Sequence, residues 1–347
     1  MTRGATHAAS EPVHRRLAML DGWRAISIAM VLAAHMLPLG PKAWKMNASI
    51  AANGMAIFFT LSGFLIVSIL QRDPDVVCFI IRRFARILPL AWLALIITFM
   101  VKGAVAVQWI ANFLFYANLP PFFLVNWTSH YWSLDLEMQF YVAIAATVAV
   151  LGRRGLLVIP AAALAVTALR VVTGSEISIV TWLRADEIFA GGMLALIIQG
   201  KPVSRANLIL AKLPFSLFVL LFLLSTRPEF GPLAYARPYL TSTMVGITIL
   251  RPVFLTPLLL SRPAAYLAKI SYAVYIIHHL TLWGWLGSGK GLLKYSKRPL
   301  SFLITFGLAH FSTFYFEKPV NDWSHRVARA RQKRRCRVSD ESNGTSE

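Results

Sequence analysis

Charge is scarce in this chain, and negative charge most of all. Of its 347 residues only 14% are charged, with 15 Asp+Glu against 35 Lys+Arg and a formal net charge of +20. Soluble globular domains carry about 25% charged residues, so the deficit excludes an ordinary water-soluble fold. Cysteine is nearly missing, with Cys78 and Cys336 alone. Both fall in segments expected on the cytoplasmic side, and two such isolated cysteines imply neither a disulfide nor a metal site. No Walker phosphate loop, dinucleotide fingerprint or fixed-period repeat is present. Residues 1–19 are polar and basic and have no apolar stretch of their own, so the first span is expected to be retained rather than cleaved as a leader.

What is abundant is apolar sequence. Hydrophobic residues make up 57% of the chain, and the mean hydropathy is +0.60. The pattern predicts an all-α, polytopic membrane bundle of about ten transmembrane helices, since roughly 20 apolar residues cross the hydrocarbon layer. The segments are 24–39, 50–70, 87–107, 134–151, 156–173, 183–199, 208–225, 239–260, 268–286 and 299–317. Residues 109–125 are apolar but interrupted by Asn112, Asn118 and Pro120-Pro121, which suggests an interfacial or re-entrant piece.

An even number of spans puts both termini on one side, and the basic residues indicate the cytoplasm. Arg15, Arg16, Arg72, Arg82, Arg83, Arg86, Arg153, Arg154 and the tail from Lys318 to Arg337 all fall on that face, while the loop Lys290–Arg298 disagrees. The positive-inside tendency therefore orients the chain. The expected organisation is a cytoplasmic segment 1–19, a membrane domain 20–319 and a tail 320–347, basic first and then polar and disordered. The basic run RVARARQKRRCR is expected to meet anionic membrane lipid rather than nucleic acid.

Polar side chains inside such spans are costly and so are functional candidates. Arg24 and His35 lie eleven residues apart in the first span. On a helix that is a rise of roughly 16 Å, about half the hydrocarbon thickness. With the N-terminus inside, His35 approaches the external end of its span. Glu137 enters from outside on the fourth span and is expected at a matching depth. An imidazole with a carboxylate partner can take a proton from a hydroxyl near neutral pH. Arg82, Arg83 and Arg86, with Arg72 nearby, could grip the phosphates of a nucleotide or coenzyme A through forked hydrogen bonds. Ordinary positive-inside charge would place arginines there too. A proton-coupled transporter or flippase would also carry intramembrane Arg, His and Glu, but the paired halves with interrupted helices typical of carriers are not evident.

Six motifs in order resemble the acyltransferase 3 family of membrane-bound enzymes that modify sugars and other hydroxylated compounds. They are LDGWRAISIAMVLAAH, NGMAIFFTLSGFLI, RRFARILPL, YWSLDLEMQFY, ISYAVYIIHHLTL and FEKP, together spanning residues 20–319. The resemblance implies that Asp21, Arg24 and His35 form the opening motif, with His35 the catalytic base and Arg24 and Glu137 acting with it. Arg82, Arg83 and Arg86 would face the acyl-CoA. Ser62 and Gly63 match the second motif, Trp132, Ser133 and Glu137 the Trp-Ser-Leu motif, and His278 and Glu317 the late positions. Ala25, Ala56 and Met138 depart from the usual pattern.

The expected activity is transfer of an acyl group, acetyl by default, from cytoplasmic acyl-CoA to a hydroxyl of a sugar, an exopolysaccharide or a lipid-linked glycan in the plasma (inner) membrane. A small antibiotic-like alcohol is the second choice of acceptor. Acetyl-CoA serves as co-substrate, and no permanently bound cofactor or metal is expected. Transfer is expected to be direct, because the sequence map puts no base beside Ser62 or Cys78, and Ser62-Gly63 read more naturally as a helix contact. His278 and His279 are expected mid-span, His278 either lining the cavity or structural and His279 structural.

Overall fold

A computed structural model describes residues 4–199 and 204–344, with side chains described over 15–199 and 204–333. No strand occurs among the described residues. Helix α1 (Gly4–Met36) stops just before Pro38, and α2 (Met46–Arg72) follows a left-handed Lys45. Asp75 caps α3 (Val76–Lys102), its carboxylate accepting from the Cys78 N–H at 3.0 Å. That cap starts the helix earlier than the hydropathy suggests. Arg82, Arg83 and Arg86 therefore stand on α3 itself rather than in a preceding loop.

A short α4 (Ala106–Phe113) leads into irregular chain with a cis Pro120-Pro121 bond, then a 3-10 turn over Asn126–Tyr131 and α5 (Trp132–Leu151). Next come α6 (Ile159–Val172) and α7 (Asp186–Gln199). The expected single span 208–225 is two helices, α8 (Arg205–Lys212) and α9 (Phe215–Leu224), bent by 78° where Pro214 interrupts them. Helix α10 (Leu233–Leu250) ends where Arg251 turns extended before Pro252.

After α11 (Thr256–Leu259), α12 (Arg262–Ile277) begins at Ser261, whose hydroxyl accepts from the Ala264 N–H. It ends just before His278, so His278 and His279 sit in the turn beyond a helix end, not mid-span. Helices α13 (Gly291–Ser296) and α14 (Arg298–Phe311) precede a π-turn over Ser312–Glu317 and α15 (Lys318–Gly344). The α15 backbone carries the basic run and the start of the polar finish as helix to Gly344, where disorder was expected. The side chains beyond Lys333, Cys336 included, lie outside the described residues.

Five helical stretches are long and apolar enough to cross a membrane, Arg15–Met36, Lys42–Arg72, Val76–Lys102, Asn126–Val172 and Gly291–Lys333, and the bent α8–α9 pair makes a sixth if counted as one span. The protein is thus all-helical, with several helices able to span a bilayer. Another expected span is shorter: α7 has 14 residues. At 1.5 Å per residue that is roughly 21 Å, less than a full hydrocarbon layer.

Helix α2 is the hub, packed chiefly against α1 and α7. The α2–α7 contact works because both helices are bare where they cross. A Cβ on Gly63 would lie 1.8 Å from the Ile188 carbonyl oxygen, and one on Gly191 2.0 Å from that of Thr60. Small residues at such crossings let backbones approach closely. Helices α6, α7 and α10 are further tied by a buried charge cluster. Arg170 pairs with Asp186, while Glu187 takes Arg237 Nε at 2.9 Å and Arg184 Nε at 3.1 Å, every member at most 1% exposed.

Candidate active site

Helices α1, α2, α3, α5 and α12 surround a slender inner cavity of about 70 Å³. Arg24, Arg83 and Arg86 converge on it from α1 and α3. Arg24 is braced by Asp21, one turn earlier, at 2.7 Å from Nη1 to Oδ1. In the wall, Ser62 Oγ donates to Glu137 Oε1 at 2.6 Å, and the Tyr141 hydroxyl donates to the same oxygen. Glu137 and Tyr141 are four apart on α5 and so share a helix face. The cavity is therefore basic at one end and holds one carboxylate with two hydroxyl partners in its wall.

Arg83 and Arg86 also line a second, wider cavity of about 460 Å³, together with Arg82, Lys269, Glu317, Lys318 and His325. Arg82 Nη2 donates to Gln332 Oε1 at 3.5 Å, while its Nε is buried without a hydrogen-bond partner among the described residues. Glu317 is engaged by the Ser312 hydroxyl at 2.8 Å. The two arginines thus stand between an open basic vestibule and the narrow inner cavity.

The other end of the inner cavity is formed by Val31, Phe58 and Tyr275. The Phe58 and Tyr275 rings stack, with centroids 6.3 Å apart. Tyr275 OH lies 2.5 Å from Ser133 Oγ and donates to the His130 carbonyl at 2.6 Å. One helical turn above Val31 is His35, exposed, with Nδ1 2.9 Å from His278 Nε2. His278 Nδ1 lies 2.6 Å from the Tyr275 carbonyl oxygen. His130 and His279 stack beside them at 4.3 Å. Four imidazoles therefore crowd the end opposite the arginines.

His35 and Glu137 are not partners. His130, whose ring lies 5.6 Å from that of His278, marks the level of His35 on the chain leading into α5. Glu137 lies seven residues later, roughly 10 Å deeper at helical rise. The matching depth fails because His35, at the end of α1, is level with the turn that precedes α5, whereas Glu137 is the sixth residue of α5. Trp132 is also outside the inner cavity. Its ring meets Phe59 edge-on at 5.6 Å and lies under the Arg184 guanidinium, also at 5.6 Å. Ser133 lines the cavity, and Gly63 serves the α2–α7 crossing. Ser62, read as a helix contact, does have a carboxylate beside it.

The sequence reading passed over Tyr141, Tyr275, His130 and Lys269. Tyr141 was recoverable, since it lies one turn from Glu137 on the same face. Tyr275 is one of three tyrosines on α12, Lys269 is the single lysine there, and His130 sits in the short 3-10 turn before α5, so no spacing singled them out.

The profile of the acyltransferase domain family matches residues 17–317. The peptidoglycan O-acetyltransferase OatA of Listeria monocytogenes is 23% identical over 314 residues, covering 75% of this chain and 48% of the relative. The putative peptidoglycan O-acetyltransferase YrhL of Bacillus subtilis is 27% identical over 323 residues, covering 77% and 48%. The chain spans about half the length of these curated relatives. No solved structure matches it. With the family profile running from the start of the first span to the close of the π-turn, over most of the chain, this protein belongs to the acyltransferase domain family.

Proposed function

We propose that the chain transfers an acetyl group from acyl-CoA, entering from the cytoplasm, to a hydroxyl of a glycan reaching in from the opposite face. The observation that carries this reading is the shared position of Arg83 and Arg86, which line both the vestibule and the inner cavity. Phosphates of coenzyme A would be held by Arg82, Arg83 and Arg86 with Lys269, since guanidinium groups bind phosphate through forked, charge-assisted bonds. The slender thioester arm would run past Glu137 toward Val31 and Tyr275. On this assignment the arginine end faces the cytoplasm, in keeping with the basic bias of that face.

His35 is the proposed base. Its nitrogen takes the proton of the acceptor hydroxyl as that oxygen attacks the thioester carbonyl. The carbon–sulfur bond then breaks, and coenzyme A leaves as the thiol once it regains a proton. Because Phe58 and Tyr275 close the cavity below His35, the acyl end meets the acceptor only when these rings part. Glu137 and Arg24 act on the donor side of that barrier. A glycan acceptor fits the names of the matched relatives, which are peptidoglycan O-acetyltransferases. A multi-pass plasma-membrane location follows from the same reading.

The direct test compares esters on glycans and lipids by mass spectrometry in cells with and without the protein. The account expects a glycan ester that disappears with the protein. Identical ester profiles would overturn it.

A further inference from the structure

We infer that His278 is a positioning residue that holds His35 in the one tautomer able to act as a base toward an incoming hydroxyl. The inference rests on the proposed role of His35 and adds to it a partner that nothing else assigns. His278 Nδ1 lies 2.6 Å from the backbone carbonyl of Tyr275. A carbonyl oxygen only accepts, so Nδ1 of His278 carries the hydrogen. In a neutral imidazole the other nitrogen is then an acceptor. That nitrogen, Nε2, faces His35 Nδ1 at 2.9 Å, and the two ring planes lie 1° apart. His35 Nδ1 must therefore donate, and its proton is committed to His278. The remaining nitrogen of His35, Nε2, is left with a free lone pair.

Burial completes the chain of constraints. His278 is 0% exposed, and neither ring touches a carboxylate among the described residues. A doubly protonated His278 would place an uncompensated positive charge there, which is the costly alternative. The carbonyl of Tyr275 is fixed by the last turn of α12, so the orientation of His35 is set by backbone two steps away. Tyr275 also forms the end of the inner cavity. The residue that closes the donor cavity thus anchors the ring that orients the base, and movement of Tyr275 would reach His35 through His278. The nitrogen that is not ligated or reacting commonly sets the tautomer of a working histidine in this way.

The experiment uses full-length protein in lipid, labelled with 15N-histidine. Solid-state NMR then reads which ring nitrogen of His35 carries hydrogen, with His35→Gln and His278→Leu samples assigning the signals. The expected result is hydrogen on Nδ1 and a bare Nε2 for His35, with loss of that single tautomer in His278→Leu. A His35 carrying its hydrogen on Nε2 in the wild-type protein would overturn the inference. In the transfer assay, His278→Leu should lower kcat about tenfold to a hundredfold, with KM for acyl-CoA unchanged. His278→Gln, whose amide oxygen can accept from Nδ1, should recover a large part of the loss. Unchanged kcat in His278→Leu would also overturn it. If wild-type protein transfers no acyl group, the activity reading fails, while the NMR result still decides the tautomer.

Discussion

Ser62 and Glu137 form a hydroxyl–carboxylate pair across the inner cavity wall, with Ser62 Oγ donating to Glu137 Oε1 at 2.6 Å. The same carboxylate takes the Tyr141 hydroxyl and lines the cavity with Arg24, Arg83 and Arg86. Among the described residues it is the only carboxylate that lines this cavity with the three arginines. Glu137→Gln keeps the shape and removes the charge. Acyl transfer should fall by roughly a hundredfold, within the range of positioned acid–base groups, while membrane abundance stays near wild type. Steady-state rates normalised to protein level check this. A loss in proportion to abundance would reduce Glu137 to a packing role.

The vestibule arginines give a different signature. Replacing Arg82 and Arg83 together by Ala should raise the acyl-CoA concentration needed for half-maximal transfer. Each lost charge-assisted contact is worth about 1.5–3 kcal/mol, so a rise of tenfold or more is expected. Lys at the same positions should recover only part, because it lacks the forked donor geometry. Titrating acyl-CoA against membrane vesicles measures the effect. An unchanged requirement would assign these arginines to membrane orientation alone.

The crossing of α2 and α7 predicts stability rather than activity. A methyl group on Gly63 meets the Ile188 carbonyl at 1.8 Å, and backbone atoms cannot step aside as a flexible side chain can. Gly63→Ala should destabilise the protein by about 1–3 kcal/mol, as overpacking does. It should lower the thermal transition in detergent. Gly103→Ala meets nothing within 4 Å but has φ +75, so any cost there is backbone strain at a helix end. Thermal scans of the two variants separate the causes.

The buried charge cluster supplies a fourth expectation. Three arginines and two carboxylates join α6, α7 and α10, each at most 1% exposed. Glu187→Gln leaves Arg184 and Arg237 without their charged partner, and breaking a buried pair from one side costs about 3–5 kcal/mol. The variant should accumulate poorly in membranes. Quantitative immunoblotting of membrane fractions, compared with the conservative Glu187→Asp, measures this.

Much of this was legible before any coordinates. Apolar periodicity marked the helices, and the order of the Arg24–His35, Ser62-Gly63, arginine, Trp-Ser-Leu and late histidine motifs marked the family. What stayed hidden was direction around each helix. Depth along a span can be counted from sequence, but it assumes that spans start at the surface. Helix α5 begins just past the level of His35, so Glu137, its sixth residue, meets Ser62 instead of His35. Helix ends were the second blind spot. The Asp75 cap drew three arginines onto α3, and the end of α12 at Ile277 freed His278 to turn toward His35. The α6–α7–α10 cluster was unreadable because Arg170 and Arg237 meet Asp186 and Glu187 from other helices.

The central claim is that donor and acceptor approach from opposite ends and meet at His35. It is tested most directly in sealed vesicles of known orientation, with acyl-CoA supplied to one face and glycan ester measured on the other. The account predicts ester only when acyl-CoA contacts the face bearing Arg82, Arg83 and Arg86, and none from His35→Ala at normal abundance. Ester formed by His35→Ala at the wild-type rate, or equally from either face, would contradict it.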